Sequence, residues 1–223
     1  APASVVFERD FYGNAVNVVT IEESHTELAI NATAEVEVSH RAPFPGPGID
    51  WEKVADAALR SHDLSPEAPA HFMFASPRIQ LSADVTRYAR ESFKPGRGII
   101  EAARDLMTQI KREFAYEPES TEIWTPISQA FAARRGVCQD FAHIMIAGLR
   151  GLGVPAAYVS GYLRTVPPPG KERLEGADAT HAWVSVWCGD VGWIDVDPTK
   201  DLVTADKHVT LAWGRDYADV API

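Results

Sequence analysis

Arg135-Gly136-Val137-Cys138-Gln139-Asp140-Phe141-Ala142-His143 runs directly into Ile144-Met145-Ile146-Ala147-Gly148-Leu149, placing a cysteine just after a glycine turn and at the head of an apolar helix. The first N–H groups of a helix have no carbonyl partner, and together with the helix dipole they favour negative charge. A thiol at that position is biased toward thiolate, which makes Cys138 the candidate nucleophile. A thiol that attacks a carbonyl needs a base, and an imidazole base needs a third group to fix its tautomer and orientation. His181, in Thr180-His181-Ala182-Trp183-Val184, and Asp197, in Gly192-Trp193-Ile194-Asp195-Val196-Asp197-Pro198-Thr199, follow in the order Cys, His, Asp.

The segments 181–187 and 191–197 are both strand-like and predict an antiparallel hairpin turning through Cys188-Gly189-Asp190. Pairing Trp187 with Val191 sets His181 opposite Asp197. It sorts His181, Trp183, Ser185, Trp193, Asp195 and Asp197 to one face and Ala182, Val184, Val186, Ile194 and Val196 to the other. A one-residue slip mixes the two sets and moves Asp197 to the wrong face. Asp195 shares the face with Asp197 one pair further from His181, so it is the second choice as orienting acid. His143 lies five helical residues beyond Cys138, about 140° round the helix at roughly 100° per residue, and is excluded as the base. His25, His40, His62, His71 and His208 stand in no matching context and are read as surface or capping residues. No Cys/His spacing suggests a zinc site.

Downstream of Cys138 the helix is expected to end near Gly151 or Gly153, with a strand from Pro155 through Leu163 and a polar loop over 166–179 that is a candidate rim of a substrate cleft. Upstream, helical patterns cover Trp51 to Leu59 behind an Asp50 cap, about Ser76 to Phe93, and about Gly98 to Phe114. The last carries Ile99, Ala103, Leu106, Ile110 and Phe114 on one stripe. Arg41-Ala42-Pro43-Phe44-Pro45-Gly46-Pro47-Gly48 can continue neither a helix nor a strand, and it sets a boundary between residues 1–48 and 49–223. Before it, Val5 to Phe7, Ala15 to Ile21 and Leu28 to Val38 read as about three strands, with Gly13-Asn14 as the turn between the first two. So few strands make a poor independent domain and should pack on something else.

The chain has 223 residues, enough for one sizeable core, and its formal net charge of −10 argues against nucleic acid or an anionic membrane as the main partner. With Cys138 and Cys188 the only cysteines, no disulfide framework holds the fold, and Cys188 is read as a small buried apolar residue. No apolar run is long enough to span a bilayer and no basic-then-apolar leader is present, so the cytoplasm is the expected compartment. A start at Ala1 suggests a processed or trimmed piece.

Four motifs in order, Arg135 to His143, Gly153-Val154-Pro155-Ala156-Ala157-Tyr158-Val159-Ser160-Gly161-Tyr162, Thr180 to Val184 and Gly192 to Thr199, resemble the bacterial transglutaminase-like family. The closing Gly214-Arg215-Asp216-Tyr217-Ala218-Asp219-Val220 is similar to that subfamily's usual ending. The resemblance implies an α+β, papain-like transglutaminase core in which helices pack on an antiparallel sheet and the cysteine heads a helix. Matched position by position, Cys138 is the nucleophile, His181 the base and later the acid, and Asp197 the orienting carboxylate. Residues 5–40 resemble the second half of the family's β-rich N-terminal domain, whose first half is absent.

The implied chemistry is acyl transfer through a thioester on peptide or glutamine-type amides, with a protein or peptide substrate and no cofactor or metal. The alternative is a noncatalytic binding or scaffold module that keeps the same core. The N–H of Cys138 is the natural first oxyanion donor, with Gln129 or Trp124 as candidates for the second. Trp124, Gln129, Tyr162 and Trp183 are the candidate substrate-contacting residues.

Overall fold

The computed structural model describes residues 4–31, 33–39, 46–164 and 179–221. In chain order its elements are β1 (Ser4–Arg9), β2 (Ala15–Thr20), α1 (Trp51–Leu59), α2 (Ala83–Arg90), α3 (Ile99–Glu113), β3 (Ala115–Tyr116), α4 (Ile127–Ala133), β4 (Arg135–Gly136), α5 (Cys138–Gly151), β5 (Ala156–Leu163), β6 (Ala179–Trp187), β7 (Trp193–Asp197), β8 (Leu202–Val203) and β9 (His208–Gly214). This is the expected α+β architecture. A five-stranded sheet in the order β8-β7-β6-β5-β9, antiparallel throughout, carries helices against it.

Helix α5 is the centre of the molecule. Every residue from Asp140 to Arg150 is buried, as expected of a helix covered on all sides rather than along one stripe. It packs across β5 and β6 on one side and against α2, α3 and α4 on the others. Phe141, Ile144, Met145 and Ile146 join Val184, Val186 and Val196 of the sheet and Leu106 and Ile110 of α3 in one apolar core. Among the described residues no helix is long and apolar enough to cross a membrane.

Four sequence expectations change. The helix expected over Ser76 to Phe93 is confined to α2, because Pro77 sits within a tight turn in which Ser76 and Ile79 exchange backbone hydrogen bonds. The hairpin β1–β2 forms around Gly13, which has φ +82°, but the strand expected over Leu28 to Val38 is absent among the described residues of that stretch, all of which are exposed except the half-buried Val38. An alternating pattern without a partner strand and a face to bury does not make a ladder. Asp50 does stand at the start of α1, yet its carboxylate pairs with Lys53 at 2.7 Å instead of capping the helix.

The fourth change bears on the site. The β6–β7 hairpin pairs Trp187 with Trp193 and Val184 with Val196, two residues away from the expected register. Instead of a three-residue turn, Cys188–Gly192 form a longer one that contains a short 3-10 turn, with Gly189 and Gly192 at φ +69° and +84°. Two forces draw β7 to this position: Cys188 is buried in the core, and the Trp193 ring packs against Phe72 and Trp213. A shift of two preserves the faces, so Asp197 remains on the side of His181 and reaches it diagonally rather than squarely.

Candidate active site

Gly136 is not in a turn. It pairs with Tyr116 in the short parallel contact of β3 and β4, and α5 begins two residues later at Cys138. Asp140, buried in the first turn, accepts a hydrogen bond from the N–H of Val137 at 2.8 Å and from the Thr121 hydroxyl at 2.6 Å. Burial raises its pKa, opposed by those hydrogen bonds. The carboxylate sits where a side chain of residue 136 would project, since a Cβ there would lie 2.6 Å from Asp140 Oδ2 and 2.8 Å from its Cβ. Glycine is thus required by close approach to the residue that caps the Cys138 helix. Gly136→Ala should lower stability by about 2 kcal/mol through overpacking. It should also slow alkylation of Cys138, as thermal denaturation and labelling rates together would show.

Cys138 is half-buried at the N-terminus of α5. His181, on β6, is buried, and its Nε2 lies 2.6 Å from Asp197 Oδ2. An ionised carboxylate only accepts, so Nε2 carries the proton and Nδ1 is the nitrogen left to serve Cys138. Burial alone would lower the His181 pKa, but the hydrogen bonds and charges of Asp197 and Cys138 overcome it and raise it to about 9. Burial likewise works to raise the pKa of the fully buried Asp197, and donors outweigh it, leaving it at about 2. Oδ1 of Asp197 accepts from the backbone N–H groups of Thr199 and Lys200 at 2.9 and 3.1 Å, a local turn of the Asp-Pro-Thr sequence. Oδ2 takes His181 and a second imidazole, His208 Nε2, at 3.1 Å.

His181 Nε2 bonds to Asp197, whereas Asp195 accepts the Trp183 indole N–H at 3.1 Å, so Asp197 is the better placed orienting acid. His143 is excluded as the base, because it is buried beside Tyr158 and its Nε2 accepts the N–H of Tyr217 at 3.2 Å. Burial pushes the His143 pKa down to about 4 and keeps the ring a neutral acceptor. Cys188 is buried, donates to the Val186 carbonyl and has its thiol pushed up to about 12, as an inert core thiol should be.

Of the candidate substrate-contacting residues, Trp183 is fully buried, so its indole has no open face to offer a substrate. Trp124 is 68% exposed and carries the Arg78 guanidinium 3.5 Å above its ring. The two line a groove of about 370 Å³ with Ile123, Pro126, Ile127 and His143. Gln139, the residue after Cys138, donates its side-chain N–H to the carbonyl of Ile123, one of the groove residues, at 3.1 Å. Gln129 is exposed on α4, and Tyr162 is partly exposed on β5 opposite Thr180. The loop expected to rim the cleft lies almost wholly outside the described residues.

His208, read from the sequence as a surface or capping residue, is instead buried against Asp197, and sequence reasoning missed Tyr116. The Tyr116 phenol is half exposed and has its pKa raised by burial and then by the charge of Cys138. His181, Asp197 and His208 are also the group of side chains, among the described residues, whose ligand atoms lie close enough to hold a metal ion, within 4.8 Å of one another.

The sequence profile described as the Transglutaminase-like superfamily matches residues 83–198, from the start of α2 to just past Asp197. Uncharacterised proteins of Mycobacterium bovis and Mycobacterium tuberculosis are each 41% identical over 231 residues, covering all of this chain and 72% of theirs. A protein-glutamine gamma-glutamyltransferase of Pseudomonas aeruginosa is 29% identical over 185 residues, 74% of this chain and 26% of that protein. Among solved structures, a Cytophaga hutchinsonii protein provisionally described as a cysteine protease is 31% identical with a TM-score of 0.56. The match covers 67% of this chain and 48% of that one, so the chain spans about half the length of that structure.

Proposed function

The chain belongs to the transglutaminase-like superfamily, and from its site we propose a cysteine-dependent acyl transfer on peptide or glutamine-type amides, carried by Cys138, His181 and Asp197. The observation that supports it most is the buried His181–Asp197 pair at 2.6 Å, set beside a half-buried cysteine at a helix N-terminus. In this reading the Cys138 thiolate adds to the amide carbonyl and the backbone N–H of Cys138 helps hold the oxyanion. His181, protonated, passes its proton to the departing amine as the C–N bond breaks and the thioester forms. An amine that then attacks the thioester gives a new amide, and water gives the acid, with neutral His181 taking the proton in either case.

Asp197 holds the ring with Nδ1 toward sulfur and stabilises its charged form throughout. Trp124, with Arg78 over its ring, is suited to an extended peptide lying beside the reacting amide. The test is incubation with a glutamine-containing peptide, with and without a primary amine. Release of ammonia that requires Cys138 is the expected result, and incorporation of the amine then separates transfer from hydrolysis. If no thioester, ammonia or cleaved peptide appears and Cys138 is alkylated no faster than a free thiol, the chain is a noncatalytic member and the proposal fails.

A further inference from the structure

In a flat sheet, β7 and β9 would be separated by β6 and β5, three strand spacings or about 14 Å at ~4.8 Å each. Yet His208, the first residue of β9, puts Nε2 3.1 Å from Asp197, the last residue of β7. The sheet must therefore curl strongly at this end, and β5 shows where. The β5–β9 register shifts between Ser160 and Gly161, an irregularity of the kind that bends and twists a strand. A Cβ on Gly161 would lie 2.1 Å from the Val209 carbonyl oxygen and 2.6 Å from the Trp183 ring, so β9 crosses directly over the missing side chain. Trp183 fills the hollow of the curl, edge-on to the His208 ring at 5.2 Å.

We propose that His208 is a positioning residue of the reaction: it holds the Asp197 carboxylate from the far side of the sheet and takes part of the charge that Asp197 presents to His181. This rests on the reading of Cys138, His181 and Asp197 as the catalytic group. Both imidazoles direct Nε2 at the same oxygen, Oδ2, so each must carry its proton there. The Nδ1 of His208 is buried with no hydrogen-bond partner. Among the described contacts, the bond to Asp197 is thus the one polar interaction of a ring that is 4% exposed. Filling the hollow alone would call for an apolar side chain, and a histidine there costs an unpaired nitrogen that only the bond to Asp197 offsets.

Two donors on one carboxylate oxygen divide its negative charge between them. Without His208, that charge falls on His181 alone, and the imidazolium keeps its proton more tightly and becomes a poorer acid toward the leaving amine. The titratable groups on the elements packed around this end of β6 are Cys138 on α5, Tyr158 and Tyr162 on β5, Asp195 and Asp197 on β7, and His208 itself. Asp197 is the one that touches both imidazoles.

The experiment compares His208→Gln, His208→Asn and His208→Phe in the intact chain, reading kcat, KM and the alkaline limb of the pH–rate profile. The Gln amide reaches about as far as imidazole Nε2, whereas the Asn amide stops short by roughly one C–C bond length. Gln should therefore stay near wild type. Asn and Phe should lower kcat about tenfold with KM unchanged. In both, the alkaline limb should move upward by about half a pH unit or more.

Circular dichroism and thermal melts confirm folding of each variant, and the Gln/Asn comparison stands even if Phe fails to fold. The proposal is overturned if folded Asn and Gln variants share the wild-type profile, or if both lose activity equally with no movement of the limb. Failure of the underlying catalytic reading looks different, since the wild-type protein would then show no turnover and no activated Cys138.

Discussion

Cys138→Ala is expected to abolish thioester formation and to lower amide turnover by about 10⁴-fold or more, the range in which loss of a covalent nucleophile falls. The second thiol cannot take over. Cys188 is buried, its thiol is pushed up to about 12, and it bonds to the Val186 carbonyl, so it is a poor nucleophile behind a closed core. The same inertness makes alkylation a clean measurement, because any iodoacetamide incorporated into the folded protein reports Cys138. In the wild type the pH dependence follows from His181. Its pKa is raised to about 9, so the imidazolium that must protonate the leaving amine persists across neutral pH and is lost as pH rises through about 9. Turnover should hold to about pH 8.5 and decline above it. His181→Ala should remove that limb and slow both alkylation and turnover, since Cys138 then has neither a proton acceptor nor a cationic neighbour. A Cys138→Ala protein that kept even a tenth of wild-type turnover would place the chemistry elsewhere.

The candidate catalytic residues stood out in the sequence because each sits in a strongly constrained local pattern. Cys138 opens an apolar run that proved to be α5, and the strand expected from Pro155 to Leu163 is β5 to within one residue. The alternation in 181–197 correctly placed His181 and Asp197 on one face, because sorting apolar from polar side chains fixes parity. It did not fix register. Parity is unchanged by a shift of two, and the true turn is held by the burial of Cys188 and the stacking of Trp193, contacts with elements far away in sequence.

Gly136 was visible as a glycine but not for its reason, which is the carboxylate of Asp140 folded back over it. His208 was read as a surface or capping residue, and it is buried. No local pattern marks it, and only the curl at Gly161 brings it to Asp197. The N-terminal pattern misled in the opposite direction, since Ala34-Glu35-Val36-Glu37-Val38 alternates like a strand and has no ladder partner among the described residues.

Replacing Arg150 with Met is expected to cost about 3 kcal/mol or more of folding stability, although it removes a buried charge. Arg150 is 3% exposed near the C-terminus of α5. Its guanidinium donates to the Ala156 carbonyl from Nε and Nη2 at 3.1 and 2.8 Å, to Phe74 O at 3.0 Å, to Ser76 Oγ at 3.2 Å and to Arg215 O at 2.6 Å. None of these acceptors is a carboxylate. Burial lowers the pKa to about 10, with Asp216 working against the shift. A cation whose folded pKa is depressed counts against the fold while it is charged, and that cost shrinks as pH rises through about 10. The charge is therefore not what stabilises this site.

The stabilisation comes from geometry. One planar head joins the start of β5, the loop before α2 and the segment after β9, satisfying a buried carbonyl at Ala156 and part-buried ones at Phe74 and Arg215. Met would fill most of the space and remove the desolvation cost, but three backbone acceptors would be left without donors at roughly 1–3 kcal/mol each. Lys would keep the charge and, with a single ammonium, could not span the same acceptors, so it should rescue little. Urea denaturation should show a lower midpoint at unchanged slope for both variants. If the Met variant instead matches or exceeds the wild type, the desolvation cost outweighs the network, and the carbonyls must find other partners once the guanidinium is gone.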